Sequence, residues 1–293
     1  MSRVAIHVIT HFSSSDFLKL LESLRAQTYQ DWELFVYENS ADEKQAQAVK
    51  RALDASEIPF HLTVGEKNIG FVANNELQKQ HQAEYILLLN DDCFLDQEYL
   101  EQCVARMEDA PTCAVVTGLI YRDETRTTVD TAGLKYECLG HVVDDRQVHT
   151  EAKPVFGTSG TASLLRRSAI EAAGGYIVEP SFFMHKEDVE RALRFQKAGY
   201  AAWLEPKAIA FHERGIKETG SGWASRIRDE KGRSLDNRIQ TYKNQWVIYK
   251  KYFSWNLGVH DICWTAWHEL KRSASLFVFG GPKVFFRTWR EIV

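Results

Sequence analysis

The stretch Tyr85-Ile-Leu-Leu-Leu-Asn-Asp-Asp92 sets the frame for the rest of the chain. A short apolar run bounded by polar residues has the length and composition of a strand buried on both faces. In a mainly parallel sheet the carboxylates Asp91 and Asp92 then sit at its carboxyl end, where open α/β sheets bind ligands. Two adjacent carboxylates repel unless a hard cation such as Mg²⁺ or Mn²⁺ neutralises them and bridges to substrate phosphates. A polar turn capping the next helix accounts for the same residues, so the pair alone leaves both readings open.

On either side of this strand the pattern alternates between strand and helix, the signature of a parallel sheet covered by helices. Strands are expected at Val4 to Thr10, Trp32 to Tyr37, Phe60 to Val64 and Cys113 to Tyr121. Helices are expected at Asp16 to Gln27, Asp42 to Ala55, Phe71 to Gln80 and Gln97 to Asp109, the last stopping before Pro111. From Arg122 to Lys153 the chain is polar and weakly periodic, and is expected to form irregular strands and loops. Beyond it come the turn Gly157-Thr-Ser-Gly160, a strand through Leu164 and Leu165, and a short helix ended by Gly174-Gly175. A helix from Glu187 to Lys197 then closes at Gly199.

Composition narrows the function classes. With 44% hydrophobic residues in 293, the chain can build a substantial core, and its net charge of −4 gives no global case for nucleic-acid binding. The five cysteines, Cys93, Cys103, Cys113, Cys138 and Cys263, are odd in number and contain no C-x-x-C, which argues against a disulfide framework or a cysteine-based zinc site and fits a reducing cytoplasm. Met1 leads directly into a strand pattern without a signal peptide, and no run is long enough to span a bilayer.

Four further groups could carry chemistry. Glu187-Asp188 opens a helix, where the dipole favours carboxylates and either could act as general base, although the residues alone favour ordinary helix-start acids, with Arg191 four residues after Glu187 and Arg194 four after Glu190. The block Asn68-Ile-Gly-Phe-Val-Ala-Asn-Asn75 opens a helix after Gly70, offering free N–H groups to a phosphate, and the Gly157 to Gly160 turn permits close backbone approach. Neither matches a P-loop or a dinucleotide fingerprint. His212 ends a strand-like run and is either a structural residue or a ligand.

In this order the pieces resemble the inverting nucleotide-sugar glycosyltransferases of family 2, with the GT-A fold, of the rhamnosyltransferase-like type. The matching motifs are Val8-Ile-Thr-His11, Glu38-Asn39-Ser40, Asn68-Ile-Gly-Phe71 through Asn75, Asn90-Asp91-Asp92, Gly160 through Arg167 with Gly174-Gly175-Tyr176, Phe182 through Asp188, and His212. The resemblance covers roughly Val4 to Gly215 and implies a GT-A catalytic domain over 1–233, with a nucleotide-sugar half to about 121 and an acceptor half from 122. It implies that Asp92, supported by Asp91 and completed by His212, holds a divalent cation, Mg²⁺ or Mn²⁺, on the donor diphosphate. Asp188 is implied as the base for the acceptor hydroxyl, with Glu187 orienting it or binding sugar. Thr10, Glu38, Asn39, Asn68, Gly70 and Asn75 would surround the nucleotide, and Gly160 would lie near a sugar.

Two departures matter. Glu38 stands where the family usually has aspartate, leaving the nucleotide base open between dTDP and UDP donors. The Gln-x-x-Arg-Trp motif of processive synthases is absent, which implies addition of one sugar, and the resemblance makes rhamnose the first choice and a hexose the second, with a surface-glycan or lipid-linked saccharide as acceptor. A catalytically inactive glycan- or nucleotide-binding module is the rival reading.

The remaining residues, 234–293, are expected to form a helical extension. From Tyr242 to Val293 eight Lys and Arg oppose three acids, interleaved with Trp264, Trp267, Phe277, Phe279, Phe285, Phe286 and Trp289. That pattern suits docking at the inner face of the cell membrane, or packing on the catalytic domain or on a second subunit of a homodimer.

Overall fold

Residues 2–11, 15–212, 234–253 and 258–292 are described by a computed structural model of the chain, with the side chains of 15, 291 and 292 outside the description. The end of the expected acceptor half, 213–233, and Val293 also lie outside it. Contacts divide the chain into two units. The first comprises Met1–Lys135, Asp144–Pro180 and Glu187–Glu213; the second gathers Tyr136–Val143 and Ser181–Lys186 with Arg214–Val293.

The first unit is organised by strands whose side chains alternate between two helical layers. In β1 (Val4–Thr10), Val4, Ile6 and Val8 join the main core, while Ala5 joins a smaller cluster on the opposite face. β4 (Tyr85–Asn90) likewise sends Tyr85, Leu87 and Leu89 into the main core. α1 (Ser15–Arg25) covers that face because Phe17, Leu20, Leu21 and Leu24 recur at helical spacing, and all four are buried. α2 (Glu43–Ala55), capped by Asp42 through the amides of Lys44 and Gln45, adds Val49 and Leu53. α4 (Tyr99–Asp109) adds Leu100, Cys103 and Met107. On the other face, α3 (Ala73–Gln78) packs Ala73 and Leu77 beside Phe35 and Tyr37 of β2 (Trp32–Glu38).

β3 (Phe60–Val64), β2, β1 and β4 run parallel, as the buried apolar run predicted. The sheet then becomes mixed. β11 (Ala162–Arg166) lies antiparallel between β4 and β6 (Cys113–Tyr121), and β12 (Ala201–His212) returns parallel to β6. β10 (Lys153–Val155) and β5 (Cys93–Leu95) flank β12, and β7 (Val129–Thr131) pairs with β6. The stretch expected to be irregular therefore holds β7, β8 (Leu134–Cys138), β9 (His141–Asp144) and the first residue of β10, with β8 and β9 pairing as a separate two-stranded sheet. The helix expected from Phe71 is a 3₁₀ turn, Gly70–Val72, that continues into α3. α5 (Arg167–Ala172) follows β11, and α6 (Glu187–Lys197) precedes β12.

In the second unit, α7 (Leu235–Tyr252) and α8 (Val259–Ile292) form the helical extension. Tyr242 and Leu276 centre their shared core, with Trp246, Val284 and Phe285 packed against it. α8 breaks at Gly281, whose φ of 78° precedes Pro282.

Candidate active site at the carboxyl edge of the parallel strands

Register brings the site residues together. Thr10 pairs with Glu38, and Ile9 with Asn90, so β1, β2 and β4 end in line and Asp91 and Asp92 follow directly. β12 reaches the same edge because His212 pairs with Cys93, the residue after Asp92. β11 runs the opposite way, so its preceding turn also arrives there, with the Asn90 amide donating to the Thr161 carbonyl at 2.9 Å.

Three side chains form a chain at this edge. His212 Nε2 lies 3.1 Å from Asp92 Oδ1, and His212 Nδ1 lies 2.9 Å from Oδ2 of the fully buried Asp130 on β7. Asp130 also faces Arg122 at 3.5 Å. Burial lowers the His212 pKa, but the hydrogen bonds that the protonated ring donates to Asp130 and Asp92 override it and raise it to about 9. Asp91 is raised to about 6 by burial and by the charge of Asp92, and the His11 amide donates to it at 3.4 Å. Among the described residues no three acidic, imidazole or thiol groups already surround a common point. The donor set nevertheless fits a divalent cation: a crowded carboxylate pair needs positive charge, and one carboxylate with an imidazole leaves coordination positions for phosphate oxygens. Asp130 behind His212 is the carboxylate that would orient such a ligand.

Beside this cluster lie buried polar atoms without protein partners. Glu38 accepts from the Ser40 amide at 2.9 Å through Oε1, while Oε2 and the Thr10 hydroxyl have none. Such atoms are costly unless a ligand or water meets them. Asn39 is committed to the backbone, accepting from the Ile69 amide at 2.9 Å and donating to the Gly70 carbonyl at 3.3 Å. Asn68 accepts from the Gly70 amide, also at 2.9 Å, and Gly70 sits at φ 65°, a conformation other residues adopt at a cost. Asn75 is committed as well: it accepts from the amides of Ile177 and Val178 and donates to the Val178 carbonyl at 2.7 Å, bracing the segment after Gly174-Gly175.

A small pocket behind the edge is lined by His7, Asn74, Asn90, Gly160, Glu187 and Arg191, among others. Glu187 thus faces a common space with Gly160, while Asp188, next to it at the start of α6, accepts from the Val189 amide at 2.7 Å. Arg191 is buried, donates to the Thr158 carbonyl and feels both carboxylates, although burial lowers its pKa overall. The expected pair of Glu190 with Arg194 forms at 3.1 Å. Gly157 has a packing reason: a Cβ there would stand 2.5 Å from Cβ of Ala192 on α6.

His7 closes the pocket from below. His81 Nδ1 accepts from the Ala83 amide and the Arg167 guanidinium, so its Nε2 carries the proton and donates to His7 Nε2 at 2.7 Å. His7 Nδ1 therefore bears hydrogen and is buried with Asn74, whose side chain acts on the imidazole as a hydrogen-bond acceptor. Burial, reinforced by Arg167, lowers His81 to about 4 and keeps the pair neutral. Asp130 and His7 escaped sequence reasoning, Arg191 was expected only as an ion-pair partner of Glu187, and Asn74 only as part of the Asn68 to Asn75 block. The available signal was a charged or imidazole side chain inside an apolar pattern, as in Val129-Asp130-Thr131 and Val4 to Thr10.

The mannosyltransferase PcManGT from Pyrobaculum calidifontis, solved with GDP-Man and Mn²⁺, gives a TM-score of 0.60 at 14% identity, covering 94% of this chain and 72% of its own. TarS residues 1–349 from S. aureus, in complex with UDP-GlcNAc, gives 0.58 at 16% identity, with 94% and 71% covered. GalNAc-T7 with UDP, GalNAc and Mn²⁺ gives 0.60 at 13% identity, and the chain, 93% covered, spans 54% of it. These likenesses establish the GT-A fold. No curated protein matches the chain in sequence. The glycosyl transferase family 2 model matches residues 5–174, more than half of the chain, which therefore belongs to that family.

Proposed function

We propose that the chain is a metal-dependent, inverting glycosyltransferase that adds a single sugar to a hydroxyl of a surface-glycan or lipid-linked saccharide. Rhamnose from a dTDP donor is the first choice and a UDP-hexose the second. The observation that carries the reading is the contact of His212 with Asp92 at 3.1 Å, backed by Asp130, at the edge where Thr10 and Glu38 hold partnerless buried oxygens.

Asp92 and His212 would hold Mg²⁺ or Mn²⁺, with Asp91 supporting. When bound, the cation offsets negative charge on the departing nucleoside diphosphate. Glu38 and Thr10 would meet the nucleoside, with Asn39, Asn68 and Gly70 shaping the loop around it. Asp188 would accept the proton of the acceptor hydroxyl. The acceptor oxygen then bonds to the anomeric carbon as the carbon–oxygen bond to the diphosphate breaks, its electron pair leaving on the phosphate oxygen. Attack from the face opposite the leaving group inverts the centre. Glu187 and Gly160, sharing the pocket with Arg191, would bind sugar hydroxyls and hold Asp188 in place.

The test is a panel of dTDP-, UDP- and GDP-sugars with Mn²⁺ or Mg²⁺, scored by slow donor hydrolysis and by calorimetry. Turnover of one donor that disappears in Asp188→Asn, with donor binding kept, supports catalysis. Donor binding without turnover in the unmodified chain would assign a binding module instead, and no response from any donor would overturn the reading.

A further inference from the structure

α8 sets Leu276, Val284 and Phe285 against α7 yet leaves further apolar side chains on its outer face. A helix on a water-exposed surface turns its apolar stripe inward and its charges outward. In α8 the polar groups are turned in: Arg272 donates to the Gly140 carbonyl and pairs with Glu269, which also accepts from the Tyr249 hydroxyl at 3.0 Å. Ser273 meets the Tyr242 hydroxyl at 3.1 Å, and Ser275 accepts from Arg238. The outward face instead carries Ile262, Trp267, Leu270, Phe277 and Val278, between 43% and 71% exposed. At about 100° per residue these positions fall within about 160° of the helix circumference, one broad face over about four to five turns.

Exposed apolar surface of this extent marks a docking face, and its charge identifies the occupant. Lys271 borders the stripe, its ammonium 5.3 Å from the ring centroid of Trp267. Past the Gly281 break, exposed Phe286 and Trp289 stand among exposed Lys283, Arg287 and Arg290. The acids of α8 among residues with described side chains are Asp261 and Glu269, and Glu269 is turned inward on Arg272. Aromatics flanked by bases, with no acid exposed among the described side chains of α8, match an anionic bilayer surface, where rings sit at headgroup depth and each base gains from the surface potential. A two-fold pairing through this face would set Lys271, Lys283, Arg287 and Arg290 near their own copies, a like-charge contact. Among the described residues no helix is long and apolar enough to cross a membrane, so the contact lies in the plane of the surface.

We propose that the outward face of α8 docks the protein on an anionic phospholipid surface. The measurement is flotation of the full chain, without donor, on phosphatidylcholine vesicles with and without phosphatidylglycerol. The omission of donor keeps this outcome separate from that of the transfer reaction. Flotation at least tenfold stronger on the anionic vesicles is expected. Trp267→Ser/Leu270→Ser/Phe277→Ser should abolish it, with circular dichroism checking the fold. Lys271→Gln and Lys283→Gln, at exposed positions, should each weaken it about fivefold and serve if the triple variant does not fold. Equal flotation on neutral vesicles, or undiminished flotation of the variants, overturns the proposal. So does absence of flotation, and a dimer in sedimentation velocity that the triple substitution dissolves would then assign the stripe to a second copy.

Discussion

The carboxyl edge of the parallel strands and the outer face of α8 are incomplete in opposite senses. At the edge, Glu38 Oε2 and the Thr10 hydroxyl are buried polar atoms with nothing to bond. On α8, Leu270 and Val278 are apolar groups 63% and 71% exposed. A fold optimised only for its own stability would have neither, since both cost free energy. The edge thus leaves polar atoms for a hydrogen-bonding ligand, and the helix leaves apolar surface for the docking proposed above.

The comparison can be broken most sharply at α6. If the edge is catalytic, Asp188→Asn should lower turnover by about 10²- to 10⁴-fold, as loss of a general base does, with donor affinity unchanged by calorimetry. Equal loss of binding would demote Asp188 to a structural cap. Next in size is Asp130→Asn. It leaves His212 without its orienting carboxylate and should weaken Mn²⁺ binding about 10- to 100-fold, read by titration of the metal in the absence of donor. Gly157→Ala brings a Cβ to 2.5 Å of Ala192, so overpacking should cost about 1–3 kcal/mol in denaturant unfolding and displace α6 with its carboxylates.

A pH profile sharpens the same region. His212 has its folded pKa raised to about 9 by Asp130 and Asp92 against the opposing effect of burial. Its contribution to metal-free stability is present in full below its unfolded value of about 6.5 and is lost as pH rises through about 9. Thermal melts of the metal-free protein should show that loss between neutral and alkaline pH, and Asp130→Asn should flatten it. Because a ligating imidazole must shed its proton, Mn²⁺ affinity should rise over the same interval. The smallest effect belongs to α8: Leu270→Ser should change unfolding free energy by no more than about 0.5 kcal/mol, since the side chain is already exposed. The buried contrast is Leu87→Ala, expected to cost about 2–5 kcal/mol.

How legible each region was follows from its physics. The parallel half could be read because Tyr85 to Leu89 is a continuous apolar run and Val4 to Ile9 is one interrupted by His7, and a doubly buried strand admits little else. β5 and β7 could not, because three-residue strands carry too short a pattern to separate from loop, and they owe their place to pairing with β12 and β6. Asp91, Asp92, Glu187, Asp188 and His212 were legible as residue types, while the partner that orients His212 was not, since Asp130 reaches it through tertiary pairing alone. Gly157 illustrates the converse. Its lack of a side chain suggested ligand approach, and the structure adds the demand of α6 packing.

The account stands or falls on whether a cation at Asp92 and His212 holds the diphosphate. Calorimetric titration of UDP and dTDP into the protein, with Mn²⁺ and then with EDTA, measures this directly. The prediction is binding of at least one nucleotide that requires Mn²⁺ and falls at least tenfold in Asp92→Asn. Binding of equal strength in EDTA, or unchanged in Asp92→Asn, would contradict it.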